Sequence, residues 1–417
     1  MVIGKDGSLY GTTQIGGTSR LGTVYELAPT KGVPWNETVI YNFSGPDGQY
    51  PESALVFGSA GVAYGVTPGS DAMGGPGTLF ELAPPSTSGG AWTETVLGTF
   101  GPNGNSQSVG PNGPVLIGPG GTLYTTTQGA PIGGVGFRLG LVIGLAPPST
   151  SGGAWMEYEL YTFGAIQGEW PVAGVVSDSG SLFGTTLFAG DANCGLAGCG
   201  TVFELTPPLT RGGAWSETTI HTFTGRPADG GGSSAALTVG PGGVLYGTTA
   251  YGGSGACTTG NTGLEGCGTV FQLTPPIAPG GSWTESVLYS FTGINGDGAA
   301  PSASVVVGKN GVIYGTTTSG GSASSNSQCP SSYYALAGCG TVFELTPPTA
   351  PGGGWTETVL HTFSDQNGDG SMPVASLALS STGVLYGTTP AGGTAGKGTV
   401  FCHQAVTAGD ASRAASA

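Results

Sequence analysis

A chain of 417 residues with nine Lys and Arg against 24 Asp and Glu carries a formal charge of −15, which argues against nucleic acid or an anionic membrane surface as a partner and is compatible with cations. Charged residues make up only 8% of it, no helical period of apolar residues persists, and no apolar run approaches the ~18 residues of a membrane helix, so membrane insertion is not expected. The 84 Gly and 30 Pro fall between apolar runs rich in Val, Leu, Tyr, Phe, Trp and Thr, so they read as turns between short strands.

Taken in chain order, three phrases recur in fixed succession at a period of roughly sixty residues. A LYGTT-type phrase starts at Gly7, Gly61, Gly121, Gly180, Gly243, Gly311 and Gly383. A GTVFEL-type phrase starts at Gly22, Gly77, Gly140, Gly200, Gly268, Gly340 and Gly398. A Trp-led phrase, WTETVLHTF in its clearest copy, starts at Trp35, Trp92, Trp155, Trp215, Trp283 and Trp355. A weaker stretch of small and apolar residues, VASLAL at 374 in one copy, precedes each LYGTT phrase. Each repeat therefore predicts four strands, A (small and apolar), B (LYGTT), C (GTVFEL) and D (Trp-led). One four-stranded unit cannot bury both of its faces, so stacking of neighbours must supply the core. The expected fold is all-β, a single β-propeller of four-stranded blades, seven in number, over residues 1–402. Residues 403–417 depart from the template, and they read either as a substitute strand that closes the ring or as an altered or truncated terminus.

The recurring LYGTT, GTVFELTPP and GGxWTETVLHTF phrases resemble the GloVer (Gloeobacter and Verrucomicrobia type) tandem repeat of choice-of-anchor bacterial surface proteins, over residues 2–401. That resemblance implies an exported or surface-attached bacterial protein: secreted, periplasmic or held at the cell surface. It implies no defined biochemical role.

Cysteine usage agrees with an oxidising compartment. Cys194 with Cys199, Cys257 with Cys267, and Cys329 with Cys339 each sit inside one B-to-C loop, the second Cys always directly before the strand-C phrase. Short local pairs at matching positions in three successive repeats read as loop staples. A zinc site would call for accompanying His, and none stands beside them. Cys402 is left over.

Repeat lengths vary chiefly in the B-to-C loops: 12 residues separate Tyr10 from Gly22, whereas 26 separate Tyr314 from Gly340. Insertions of this kind decorate one face, often the binding face, and the D-to-A connections should emerge there too. Those connections carry the chemistry that can be singled out. Asp365, Asn367 and Asp369, followed by Gly370, match the opening of a calcium loop, although Ser376 stands where the twelfth-position Glu would be. Asn295 and Asp297 repeat the spacing one blade earlier, and Asp47 begins an Asp-Gly turn. The same residues are also ordinary turn formers. Most other acids belong to the template, including the Glu two residues after each strand-D Trp. His221 and His361 occupy a slot held by Tyr41, Tyr161 and Tyr289 in sister repeats.

Two functions from different classes fit this sequence, the first as the expected function and the second as its alternative. One is a calcium-dependent hydrolase of small esters or lactones, for example N-acyl-homoserine lactones, in which the ion polarises the carbonyl and Glu169 or Asp229 acts as base. Part of its support is analogy with propeller lactonases. The other is a non-catalytic extracellular module that binds a surface glycan or a protein. A monomer is expected in either case.

Overall fold

The computed structural model describes residues 1–30, 35–68, 77–87, 89–100, 110–127, 140–150, 152–164, 168–190, 194, 198–210, 213–258, 265–278, 280–321, 329, 337–350 and 352–405. The fold is all-β, a β-propeller of seven antiparallel blades. Six blades have four strands in sequential order A-B-C-D, as in the sixth: Val306–Val307, Ile313–Thr317, Thr341–Thr346 and Thr356–Thr362. Blade seven has three strands among the described residues, Ala378–Leu379, Val384–Thr389 and Thr399–Gln404. Its strand C continues two residues past the expected domain boundary at 402, and residues 406–417, most of the atypical tail, lie outside the described set.

The chain packs as two compact units, residues 1–190 with 201–220, and residues 191–200 with 221–417. The first holds blades one to three and most of blade four. The second holds blades five to seven together with the end of strand D of blade four.

Within each unit the core lies between neighbouring blades. In the first, Tyr10, Val24 and Phe43 of blade one pack with Leu55, Ala63, Phe80 and Leu82 of blade two. In the second, Tyr246, Val270 and Phe291 of blade five pack with Val305, Ile313, Phe343 and Leu345 of blade six. The last aromatic of each Trp-led phrase makes this contact. Phe43 meets Phe80 edge-on at 5.2 Å between ring centroids, and Phe291 meets Phe343 at 5.1 Å. The Trp at the start of strand D reaches back to the strand-B aromatic of the preceding blade, as Trp92 does to Tyr10 at 6.1 Å. Between its two ends, strand D carries a bulge: Phe343 pairs with Val359 and Val342 with His361, which leaves Leu360 as the extra residue.

The B and C phrases explain each other. In register, Tyr10 lies opposite Glu26, Tyr314 opposite Glu344, and the Tyr10 hydroxyl donates to Glu26 at 3.0 Å, so the strand-C Glu serves the scaffold. Gly315 of the LYGTT phrase leaves the space that the Phe343 ring occupies, since a Cβ there would fall 2.5 Å from Cζ. The last Thr of strand B and the first Thr of strand C join hydroxyl to hydroxyl in six blades, for instance Thr249 with Thr269 and Thr317 with Thr341, both at 2.8 Å. Thr317 Oγ1 also accepts from the Thr341 backbone N–H at 3.1 Å and donates to the Ser319 carbonyl at 2.9 Å. Thr317→Val keeps the shape and strands these fully buried partners, so it should cost about 1–3 kcal/mol in chemical denaturation. The exposed Thr356→Val, in the same blade, should cost under about 0.5 kcal/mol. Equal effects from the two would refute the clasp.

Small ladders between blades tie the loops of one face together. Gly298–Ala299 of a D-to-A connection pairs with Ser319–Gly320 of the following B-to-C loop. Gly230–Gly231 pairs likewise with Tyr251–Gly252, and Gly370–Ser371 with Ala391–Gly392. The two kinds of loop therefore do share a face. Gly298 follows Asp297 because this ladder brings the backbone against Thr317, whose Oγ1 and Cγ2 would each lie 2.5 Å from an added Cβ.

Candidate functional site

The acids of the D-to-A connections are placed by a recurring cap. Asp297 Oδ2 accepts from the Thr292 N–H at 2.7 Å and the Thr292 hydroxyl at 2.6 Å. Asp47 does the same with Ser44, Asp229 with Thr224, and Asp369 with Ser364, at 2.8–3.1 Å. A carboxylate that accepts a backbone N–H and a hydroxyl closes its own loop, an Asx-type device that orders the chain entering the next blade.

The same four carboxylates face the strand-D slot that alternates between Tyr and His. The Tyr41 hydroxyl donates to Asp47 Oδ2 at 2.5 Å, while His221 Nε2 lies 3.3 Å from Asp229 Oδ2 and His361 Nε2 lies 3.3 Å from Asp369 Oδ1. Each slot ring is held edge-on by the Phe two residues further on, His221 by Phe223 at 4.9 Å and Tyr41 by Phe43 at 5.2 Å.

A third group comes from the next blade, the Glu two residues after the strand-D Trp. Burial pushes the Glu94, Glu285 and Glu357 carboxyls up to about 7, and the neighbouring carboxylates of Asp47, Asp229 and Asp297 respectively add to this. Burial would also raise Asp47 and Asp229. The Tyr41 and Ser44 hydrogen bonds on one, and the His221 imidazole with the Thr224 and Gly230 N–H groups on the other, outweigh it and hold both below the usual range.

These contacts decide where the sequence-predicted residues go. Asp229 is 8% exposed and engaged by Thr224, Gly230 and His221. Glu169, 9% exposed, exchanges backbone hydrogen bonds with Phe188, and burial raises its carboxyl. Glu169 belongs to the first compact unit and Asp229 to the second. In the calcium-like loop, Asp369 turns onto Ser364, Gly370 and His361, and Asp365 Oδ1 accepts from the Ser371 hydroxyl at 3.2 Å. Asp365 and Asn367 both have left-handed backbones, with φ of 55°, as does Asn295 at 57°. All three pairs of loop cysteines are joined as disulfides, Cys194 to Cys199, Cys257 to Cys267 and Cys329 to Cys339, with Cα atoms 5.0–5.2 Å apart. Cys402 is free and exposed.

The group that could hold a metal ion among the described residues is His221, Asp229 and Glu285, whose ligand atoms all lie within 4.8 Å of one another. In the sequence alone, His221 and Glu285 stand as template positions. The available signal was the coincidence of a His in the Tyr slot with an Asp-Gly in the following connection and a Glu in the next Trp-led phrase.

The model of the Gloeobacter/Verrucomicrobia repeat matches residues 1–260 and 255–413. This chain belongs to the Gloeobacter/Verrucomicrobia repeat family. Two overlapping matches span nearly all of the repeat protein, in agreement with the uniform blade pattern. No curated protein matches it in sequence. Among solved structures, a protein of unknown function from Dyadobacter fermentans is 12% identical with a TM-score of 0.40, over 85% of this chain and 91% of that one. A glucose dehydrogenase is 14% identical with a TM-score of 0.42, over 85% and 96%. A Hadza microbial sialidase is 14% identical with a TM-score of 0.38, over 75% and 61%. No described helix of the repeat protein is long and apolar enough to cross a membrane.

Proposed function

We propose that this repeat protein is a non-catalytic extracellular recognition module, which binds a surface glycan or a protein through the face that carries the B-to-C loops. The observation that supports it is the division of labour on that face. The D-to-A carboxylates are committed to loop caps in four connections, and ladders tie three of those connections to the B-to-C loops. The B-to-C loops vary in length between repeats while a disulfide staples three of them next to strand C. A fixed scaffold presenting variable loops is how propellers and other repeat arrays diversify binding. The three disulfides, together with the surface-repeat character implied by the resemblance, favour an oxidising, extracellular setting.

The second reading is a calcium-dependent hydrolase of small esters or lactones such as N-acyl-homoserine lactones. It is supported by the burial of Glu169, which raises its carboxyl toward the range of a general acid or base, with Asp229 as the other candidate. Calcium at Asp365, Asn367 and Asp369, with Asn295, Asp297 and Asp47 in the equivalent connections, is proposed with it.

One set of measurements separates the two. Purified, disulfide-intact protein is screened against immobilised glycans, and against p-nitrophenyl esters and N-acyl-homoserine lactones with calcium and with chelator. Glycan binding without turnover is the expected result. Turnover that chelator abolishes would overturn the recognition reading. Millimolar calcium that raises the melting temperature, with the rise lost in Asn367→Gly, would support the calcium loop, because Gly keeps the left-handed backbone while removing the side-chain carboxamide that carries the oxygen.

A further inference from the structure

We infer that His221, Asp229 and Glu285 form a binding site for one divalent first-row transition ion of the zinc type. The three ligands come from three consecutive pieces of backbone: strand D of blade four (Ser216–Thr222), the capped connection after it, and strand D of blade five (Thr284–Ser290). All three lie in the same compact unit. Two of the ligand atoms are unspent. His221 Nε2 and Glu285 Oε1 are buried and lack a hydrogen bond of good geometry, the polar neighbour of His221 Nε2 being Asp229 Oδ2 at 3.3 Å, itself one of the three ligands. A buried imidazole nitrogen and carboxylate oxygen left without partners are costly, and a cation between them removes that cost.

The chemistry of the donors selects the ion. One imidazole nitrogen and two carboxylates suit zinc, cobalt or nickel better than calcium, which takes oxygen ligands in larger number. Ligand atoms of a tetrahedral ion lie about 3.3–3.5 Å apart, so a group whose atoms fall within 4.8 Å of one another closes by side-chain adjustments of up to about 1.5 Å. Three protein ligands also leave a fourth position for water.

Sister blades provide the internal comparison. Tyr41 with Asp47 and Glu94, and Tyr289 with Asp297 and Glu357, repeat the arrangement with a phenol in place of the imidazole. Their Glu94 Oε1, Glu357 Oε1 and Asp297 Oδ1 atoms are likewise buried and unpartnered, but the nitrogen ligand is missing. His361 has Asp369 beside it, yet no third ligand joins them among the described residues. The complete nitrogen-containing set therefore occurs once among the described residues.

The test uses the full, disulfide-intact chain stripped of metal. Cobalt is titrated while its visible absorption is followed, and zinc is then added in competition. The expected result is one equivalent of cobalt per chain, displaced by one equivalent of zinc, with a melting temperature that rises with free zinc. His221→Tyr installs the residue that sister blades carry in the same slot, so the fold is retained while the affinity drops at least tenfold, to the order expected for loss of a ligand. Glu285→Gln should weaken binding in the same direction, and His361→Tyr should leave it unchanged. No stoichiometric binding by the wild type would overturn the site, as would binding that survives His221→Tyr or that disappears with His403→Ala instead. None of these readouts depends on hydrolysis.

Discussion

Phe291→Ala should lower the stability of the second compact unit by about 3–5 kcal/mol, the usual range for a buried aromatic truncated to methyl. Phe291 is 0% exposed at the end of strand D of blade five, and its backbone N–H donates to the Gly268 carbonyl at 3.0 Å. Its ring stands edge-on to Phe343 of blade six and to Tyr289 of its own strand, both about 5 Å away between centroids. The residue thus bridges two blades, and in an array whose members touch only their neighbours, losing such a bridge removes an interface as well as a transfer energy. The matching control is Met156→Ala, also on a strand D but 66% exposed, which should change stability by less than about 0.5 kcal/mol. Urea midpoints at constant slope measure both. A loss under about 1 kcal/mol for Phe291→Ala would mean that the inter-blade seam is not where this fold holds itself together.

The features legible in the sequence are those that every repeat shares. Three phrases in register predict the strand order, because each residue has one job in every blade: Thr317 and Thr341 clasp, Tyr10 meets Glu26, Gly315 makes room for Phe343. The disulfides are legible for the same reason, since the second Cys always directly precedes strand C. Blade seven departs from the four-stranded expectation among its described residues, and no Trp-led phrase follows its strand C.

The cross-blade groups are not legible in this way. His221 and Glu285 come from successive copies of one phrase, and a periodic sequence does not say which position of one copy faces which position of the next. The bulge at Leu360 and its equivalents compounds the difficulty, because it shifts the facing of strand D in mid-strand. The Asp-x-Asn-x-Asp-Gly run is ambiguous for a different reason: oxygen ligands of a cation and Asx-type caps need the same short polar side chains next to the same Gly. Only the hydrogen bonds to Ser44, Thr224, Thr292 and Ser364 show the cap.

The pH dependence of stability follows from the sister groups that lack the imidazole. Burial first, and the adjacent carboxylates of Asp47 and Asp297 second, push Glu94 and Glu357 up to about 7 from an ordinary value of 4.5. Between those two values the folded chain holds protons that the unfolded chain has released, so each rise in pH through the window favours unfolding. The contribution of the two glutamates is complete below 4.5 and lost by about 7. Asp47 moves the other way: held below its ordinary 3.8, it stabilises above that value and loses its contribution as the pH falls through its lowered one. The melting temperature should therefore be higher at pH 5 than at pH 8. Both glutamates are partly open to water, so screening makes the difference modest and smaller at high salt. Glu94→Gln with Glu357→Gln replaces each protonated carboxyl by an amide of the same shape and should flatten the slope between pH 5 and 8 while raising stability at the alkaline end. A wild-type melting temperature that rises across that range, or a slope that the double substitution leaves unchanged, would show that these buried glutamates are ionised in the folded protein.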